Sequence, residues 1–332
     1  MTRYISDQNK VVLLNESGLY SSTSGNGVWI GEVIDNSIDD MENKIESRFL
    51  GALTRSFVTM VPGPRDVKGV IAYYPQDMRI PFWAIGSVVD TSGTNNFHLA
   101  TQIQTNVMQS SFTSGVNGLS APISWTFEDS KTSPGTGRNL IRTVNGCVVD
   151  NLRLIATKSQ KVKVEVDYIG QTLIASSGTS TVVTQSTVTP YLWNNCSLTI
   201  AGSVIDTTNE ATLEIKQNIV GPHYLNGSRD ISVPFPKNRS NTFDIKLDLD
   251  GVDADMLYNS LYKQNATFNL TFDMNADSTA GSQHTIIFGS GAKIISMANP
   301  SVIEGPVESE VKIEIPILIG SCFDTISKYN PW

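Results

Sequence analysis

The sequence has few of the residues on which enzyme and metal chemistry depends. It holds three cysteines and three histidines in 332 residues, and only 17% of its residues are charged. Cys147, Cys196 and Cys322 are far apart and form no CxxC pair, so neither a zinc site nor a redox dithiol is indicated. We interpret them as buried free thiols and expect the protein to need no metal and no cofactor.

The histidines and serines give no support to a catalytic function. His98, His223 and His284 lack HxH or HExxH spacing, and we interpret them as surface or loop residues. No serine lies in a GxSxG elbow. The stretches Gly289–Lys293 and 248–255 fail the spacing of a phosphate loop and of a calcium loop, respectively. The sequence therefore predicts that the protein is not an enzyme; a hydrolase assembled from distant residues is the weaker alternative.

Membrane and nucleic-acid signals are also weak. No apolar run approaches the ~20 residues of a membrane span, and the N-terminal residues lack the apolar core of a secretory signal. These features predict a protein that folds in a cytoplasm without membrane contact. The net charge of −8 argues against a wide basic groove for nucleic acid. Residues 1–175 hold 15 Lys and Arg against 16 Asp and Glu, and residues 176–332 hold 9 against 16, so the acidity is concentrated in the second half.

What the sequence does contain is strand periodicity. Four segments alternate between apolar and polar residues, the period of a β-strand with one buried face. They lie at 161–168, 244–250, 268–274 and 311–317. Leu and Tyr pairs at i,i+4 predict a short amphipathic helix at Asp253–Lys263, and a second helix is predicted at Asp39–Arg55.

The sequence also suggests one unit present twice. Trp, Gly and Val-Ile-Asp occur in the same order at 29–35 and at 193–206, and both halves end in an alternating strand followed by glycine, at Lys161–Gly170 and Glu310–Gly320. We predict an N-terminal arm at 1–20, a first β domain at 21–175, a Ser/Thr-rich linker at 176–189 and a second β domain at 190–332. One large β domain, or two unrelated domains, are the alternatives.

This order of elements resembles the major tail tube protein of tailed bacteriophages and related viruses. The features that carry the resemblance are Cys196–Ile200, Ala211–Asn218, the loop Gly221–Arg229, Arg239, Thr242–Leu249, the predicted helix, Ala266–Met274, Ile286–Phe288, Ala292–Met297 and Glu310–Ile319. In the first half, Asn145–Leu154 and Lys161–Gly170 fit the same pattern. The resemblance covers most of residues 25–325 and rests on element order, because no single motif defines it.

The resemblance implies a mainly β fold with short helices, built as two tandem antiparallel β-barrel or sandwich units with a flanking helix each. It also implies a virion structural protein, assembled in the host cytoplasm, whose stacked six-fold rings form the hollow tail tube through which viral DNA passes during ejection without specific binding. Its partners would be copies of itself and other tail proteins: sheath if the tail is contractile, tape measure, terminator and baseplate. Two units per chain would allow a trimeric ring with pseudo-six-fold symmetry.

Two sets of residues are candidates for roles in such a tube. Candidates for contacts between rings or subunits are His223, Tyr224, Asn226, Arg229 and Arg239. Candidates for acids that face the lumen are Asp244, Asp248, Asp250, Glu310 and Glu314. These acids either form an ordinary solvated face or line the bore, where like charge would keep DNA from adhering.

Other functions fit the same pattern less well. A baseplate hub, distal tail or injection-system tube protein would share the fold. A carbohydrate-binding β-sandwich or adhesin is an alternative of another class, and it would expose an aromatic platform. Trp29, Trp83, Trp125 and Trp193 instead lie in apolar segments, which favours a place in the core.

Overall fold

The structure is a computed structural model. It describes residues 9–14, 16, 27–47, 59–91, 96–102, 122–132, 139–183, 186–224, 228–248, 253, 255–276, 283–298, 308–324, 326 and 329. Strands dominate this part of the chain, which confirms the predicted mainly β fold with short helices.

The described residues of the first half form nine strands and one helix. They are β1 Asn9–Leu14, β2 Gly31–Ser47, β3 Thr59–Pro75, α1 Arg79–Ile85, β4 Ser87–Thr91, β5 Asn96–Thr101, β6 Trp125–Thr132, β7 Asn139–Thr157, β8 Lys163–Gly170 and β9 Thr172–Ser176. In the second half, the residues that the structure describes form ten strands, a 3-10 turn at Trp193–Asn195 and a π-helix. They are β10 Cys196–Ile200, β11 Ser203–Val204, β12 Thr208–Lys216, β13 Ile219–Val220, β14 Phe235–Pro236, β15 Ser240–Asp248, α2 Asp255–Tyr262, β16 Phe268–Asn275, β17 His284–Ala298, β18 Glu308–Glu314 and β19 Ile317–Asp324.

The alternating segments form strands, with one correction. β8, β15, β16 and β18 bury their apolar residues and expose the polar ones, as predicted. The fourth segment is not a single strand, because β18 ends at Glu314 and the chain turns at Pro316. Ile317 therefore begins β19 and is 40% exposed, although the alternation placed it with the buried set.

Of the two predicted helices, one is present. α2 lies within the predicted range and buries Leu257 and Leu261, and its wide turn is closed by the Lys263 N–H donating to the Tyr258 carbonyl at 2.9 Å. No helix in the described ranges is long and apolar enough to span a membrane.

The helix predicted at Asp39–Arg55 is wrong as far as the chain is described there. Residues 39–47 belong to β2, which pairs antiparallel with β3 from Gly31 opposite Pro75 to Ser47 opposite Thr59. Backbone hydrogen bonds to a strand distant in sequence thus override the helical spacing of the apolar residues. Helix propensity is weak, and tertiary pairing commonly outweighs it. Residues 48–55 lie outside the described part of the chain.

One eight-stranded antiparallel sheet runs through both halves, and we call it the inner sheet. Its order is β2-β3-β8-β7-β12-β15-β18-β17. Two outer sheets, β1-β6-β7-β9 and β11-β10-β16-β17-β19-β5-β4, pack over one of its faces. β7 and β17 belong to both layers. Between the layers lies one continuous core, with Phe127 against Tyr168 in the first half and Phe243 against Phe272 in the second.

The strand pairings of the first half recur in the second. The pairs β2–β3, β3–β8, β8–β7, β7–β6, β6–β1 and β7–β9 correspond to β12–β15, β15–β18, β18–β17, β17–β16, β16–β10 and β17–β19. β1 lies within the range 1–20 that was predicted to be an arm. It is a buried strand of the outer layer and corresponds to β10 of the second half. Its place is therefore in the sheet of the first half.

Irregularities recur at the same places too. Gly146 in β7 and Gly291 in β17 have φ of +61° and +69°, and each lies in a bulge where its strand passes from the outer to the inner layer. A second bulge follows in each strand, at Asp150 and at Ile295. Since bulges redirect a strand, both halves bend their longest strand by the same means. By this register Val164 in β8 corresponds to Ser309 in β18.

A buried charged cluster ties the first half to the second. His98 in β5 is fully buried, with Nδ1 2.7 Å from Asp90 and Nε2 3.1 Å from Asp324 in β19. Its ring stacks on Tyr329 at 3.9 Å, and the Tyr329 hydroxyl donates to Asp324 at 2.6 Å. Burial by itself would lower the pKa of His98, but the hydrogen bonds to Asp324 and Asp90 outweigh it and raise the pKa to about 9. The interpretation of His98 as a surface or loop residue is therefore wrong.

This cluster makes stability depend on pH. Because the pKa of His98 is raised from 6.5 to about 9 on folding, its contribution is complete below pH 6.5 and is lost as pH rises through 9. His98→Gln should cost about 3–5 kcal/mol at pH 6.5, since it leaves buried carboxylates without their cation, and should flatten stability between pH 6.5 and 9. Urea unfolding across this range measures both. The control His284→Gln disrupts a half-exposed pair with Asp273 and should cost less than about 1 kcal/mol; equal losses would contradict the assignment.

Candidate functional site

The face of the inner sheet that points away from the core carries mostly charged residues. Carboxylates from most strands of the sheet lie on it, among them Asp35, Asp39, Glu165, Asp167, Glu210, Glu214, Asp244, Asp248, Glu308, Glu310 and Glu314. The basic residues that accompany them include Lys68, Arg153, Lys163, Lys216, Lys246, Lys293 and Lys312. We call this the charged face. Its described residues have an excess of negative charge.

Ion pairs between adjacent strands cover part of the charged face. Arg153 binds Glu165 at 2.5 Å across β7 and β8, and Lys246 binds Glu210 at 3.2 Å across β15 and β12. Asp244 faces Lys312 at 3.5 Å. Partial burial raises the pKa of Asp244 despite this lysine. The face is thus a lattice of mixed charge with carboxylates left in excess.

The predicted acids share this face as far as they are described. Asp244, Asp248, Glu310 and Glu314 lie on β15 and β18 with their side chains away from the core. Asp250 lies outside the described residues. Sequence reasoning missed the acids of the first half, such as Glu165 and Asp167, although the polar positions of the alternating segment 161–168 contain them.

β7 and β12 join the two halves inside the inner sheet. Seven residue pairs form this antiparallel contact, from Glu210 opposite Thr157 to Lys216 opposite Asn151. The Gln217 N–H extends it by donating to the Asp150 carbonyl at 2.8 Å. We call this contact the internal joint. Among the described residues, the outermost strands β2 and β17 of the same sheet have a strand partner on one edge only in their inner-sheet segments.

The predicted contact loop is partly engaged within the chain. His223 Nε2 lies 2.9 Å from Asp66, and the Arg65 N–H donates to the Arg229 carbonyl at 2.8 Å, so the loop packs on the β2–β3 hairpin. Arg229 also forms an ion pair with Glu42. Hydrogen bonds from Arg65 lower the pKa of the neighbouring Asp40. Tyr224 is 60% exposed and remains available to a partner, whereas Asn226 lies outside the described residues.

Arg239 holds the second half against α1. Its Nη1–H donates to the Ile85 carbonyl at 2.6 Å and its Nε–H to Asn241 at 2.9 Å. Gln217 donates to the adjacent Ala84 carbonyl at 2.9 Å. Burial lowers the pKa of Arg239 to about 10, a value at which the guanidinium is still charged at neutral pH. The structure places this residue at a contact between the halves of the chain.

The described residues do not form a candidate metal site. No group of three or more His, Cys, Asp or Glu among them could hold a metal ion. Cys147 and Cys322 are buried and free, and burial raises the pKa of Cys322 to about 12. Trp83 and Trp125 are buried, so they offer no aromatic platform for a carbohydrate.

Comparison with known proteins decides the family. The family model described as phage tail tube protein matches residues 41–316, a range that runs through both halves and most of the inner sheet. The chain belongs to the phage tail tube protein family. None of the curated proteins compared with the chain matches it. Membership gives this tail tube protein a structural, non-enzymatic role in the virion tail, where it assembles with itself and with other tail proteins.

Two substitutions test which of the predicted contact residues stabilise the fold of the tail tube protein itself. Arg239→Ala should lower the free energy of unfolding by about 1.5–3 kcal/mol, because it removes charge-assisted hydrogen bonds to Ile85 and Asn241. Tyr224→Ala should change it by less than about 0.5 kcal/mol, because the side chain is exposed. Denaturant unfolding of the unassembled protein measures both, and a larger loss for Tyr224→Ala would reverse the assignment.

Proposed function

We propose that this tail tube protein consists of two copies of one tube unit, and that three chains close into a ring with pseudo-six-fold symmetry. Rings stack into the hollow tube through which viral DNA passes during ejection. The first unit comprises β1–β9 and the second β10–β19, with 177–189 between them. The second unit keeps the predicted bounds 190–332, whereas the first unit is extended beyond the predicted 21–175 to include β1 and Ser176, so that the predicted linker 176–189 begins at 177.

The observation that carries the proposal is the internal joint. Two units with the same pairing order already share one continuous sheet within a chain, and that sheet ends in two edges. An exposed strand edge is a template for pairing with another chain, and closure into a barrel removes it. Repeating one joint around a closed ring would therefore satisfy every edge of the inner sheet.

The layer arrangement supports the inner sheet as the wall of the bore. The inner sheet is continuous across both halves, whereas the two outer sheets cover only its core face. Three eight-stranded sheets supply 24 strands, and at about 4.8 Å per strand the barrel would be roughly 37 Å across before strand tilt widens it. Such a bore admits a DNA duplex. The charged face would then line it.

The charge of that face suits a conduit. Phosphates bind basic surfaces through counterion release, and a lining with excess carboxylate gives them no such site. The lysines and arginines on the charged face are interspersed with acids, which prevents a continuous basic track. DNA would therefore slide through without specific binding.

Electron microscopy of the purified tail tube protein tests the assembly. We expect rings and tubes whose walls are close to six-fold symmetric and whose periphery is three-fold. The periphery loses six-fold symmetry because the β4–β5 hairpin follows α1 in the first half, whereas only five residues separate α2 from β16 in the second. A protein that stays monomeric at high concentration, or rings with strict six-fold symmetry from six chains, would contradict the proposal.

The charged lining makes a separate prediction. Asp248→Lys with Glu314→Lys should preserve tubes but slow DNA ejection from virions carrying the variant, most strongly at low salt, where the Debye length reaches about 30 Å. Asp248→Asn with Glu314→Gln is the matched control and should have a smaller effect. Ejection kinetics at two ionic strengths measure this. Unchanged kinetics at low salt would refute a lumenal position for these acids.

A further inference from the structure

The two open edges of the inner sheet correspond to the two strands of the internal joint. β2 occupies the place of β12, because each pairs with the equivalent next strand and carries a bulge at the same point, at Ile34 and at Asn209. β17 occupies the place of β7, because their bulges coincide. The internal joint therefore predicts how the open edges of two chains would meet.

The register can be read residue by residue. The pair Asp35 and Ala72 corresponds to the pair Glu210 and Lys246. Each residue of β12 therefore has a counterpart in β2 that lies 175 positions earlier in the chain. By this shift Lys216 corresponds to Met41. Val149 in β7 and Ile294 in β17 directly precede the equivalent bulges, so residues of β17 correspond to residues of β7 that lie 145 positions earlier.

These two shifts convert each residue pair of the internal joint into the corresponding pair of β2 and β17. Lys216 opposite Asn151 becomes Met41 opposite Ser296. In the same register, Glu214 opposite Arg153 becomes Asp39 opposite Ala298.

We propose that β17 of one chain pairs antiparallel with β2 of a second copy of the chain, with Met41 opposite Ser296 and Asp39 opposite Ala298. This closing joint rests on the proposed ring assembly and specifies its subunit interface. It repeats the backbone contact of the internal joint between separate chains.

Each edge carries an exposed apolar side chain that the closing joint would bring next to a second copy. Met41 on β2 is 50% exposed, and Ile295 in the bulge of β17 is 47% exposed. Their counterparts at the internal joint are the charged residues Lys216 and Asp150. Contacts between apolar side chains of two chains help to offset the entropy that separate chains lose on association. The internal joint lies within one chain and has no such cost.

The geometry of the internal joint also predicts which residue pairs of the closing joint a disulfide could connect. At the internal joint the Gln217 N–H bonds to Asp150, so the next pair, Lys216 and Asn151, is a non-hydrogen-bonded pair. The Cα atoms of such a pair lie about 4.5 Å apart, within the range of a disulfide. Met41 and Ser296 inherit this geometry at the closing joint, as do Asp39 and Ala298 two residues along.

Disulfide trapping in assembled protein tests the register. Met41→Cys with Ser296→Cys should give two-chain and three-chain bands on a non-reducing gel after mild oxidation, with no band above three chains. Asp39→Cys with Ala298→Cys is an independent pair that should behave in the same way. Met41→Cys with Ala298→Cys is two residues out of register and should cross-link at least tenfold less. Wild-type protein and each single variant report any background from native cysteines.

The possible outcomes distinguish failure of the closing joint from failure of the proposed function. Wild-type tubes without cross-links in either in-register pair, or with equal cross-linking of the out-of-register pair, would overturn the closing joint while the tube proposal stands. Failure of wild-type protein to form rings or tubes would overturn the proposed function itself. A ladder that continues past three chains would overturn closure by three chains.

Discussion

Backbone hydrogen bonding between β7 and β12 is the interaction on which the arrangement of this tail tube protein depends. It joins the two halves of the chain, whose strands pair in the same order, into a single eight-stranded sheet whose main core runs through both. An antiparallel joint of this kind has no side-chain specificity of its own, because every residue contributes the same N–H and C=O groups. Register must be held elsewhere, and the bulges at Asp150 and Ile295, together with the alternation of buried residues, provide that constraint.

The two halves of the chain are not equivalent, and the differences are local. The β4–β5 hairpin belongs to the first unit but pairs with β19 of the second, where His98 joins Asp324 in the interior. Gln217 and Arg239 of the second unit in turn hold the last carbonyls of α1. These contacts exchange elements between units in both directions. They tie the two halves together, and the buried charge of His98 is tolerated because both of its ring nitrogens are hydrogen-bonded.

Secondary structure was predictable where burial is one-sided. The segment 161–168 alternates because one face of β8 meets the core and the other carries Lys163, Glu165 and Asp167. The helix α2 was predictable from Leu257 and Leu261, which bury one stripe of it. The prediction failed at β2, whose spacing of apolar residues fits a helix as well as a strand. It also failed at the division between β18 and β19, since alternation continues across Pro316 even though the strand does not.

The sequence by itself determined the mainly β fold, most of the buried faces, the resemblance to tail tube proteins and the lack of a local catalytic motif. Composition and period suffice for these because each depends on residues close together in the chain. Tertiary structure alone decided that β2 pairs with β3, that His98 is enclosed by two carboxylates, and that acids from both halves share one face. Pairing partners are set by long-range backbone bonds that any alternating strand can satisfy, so no local pattern specifies which strands meet or which edges stay open.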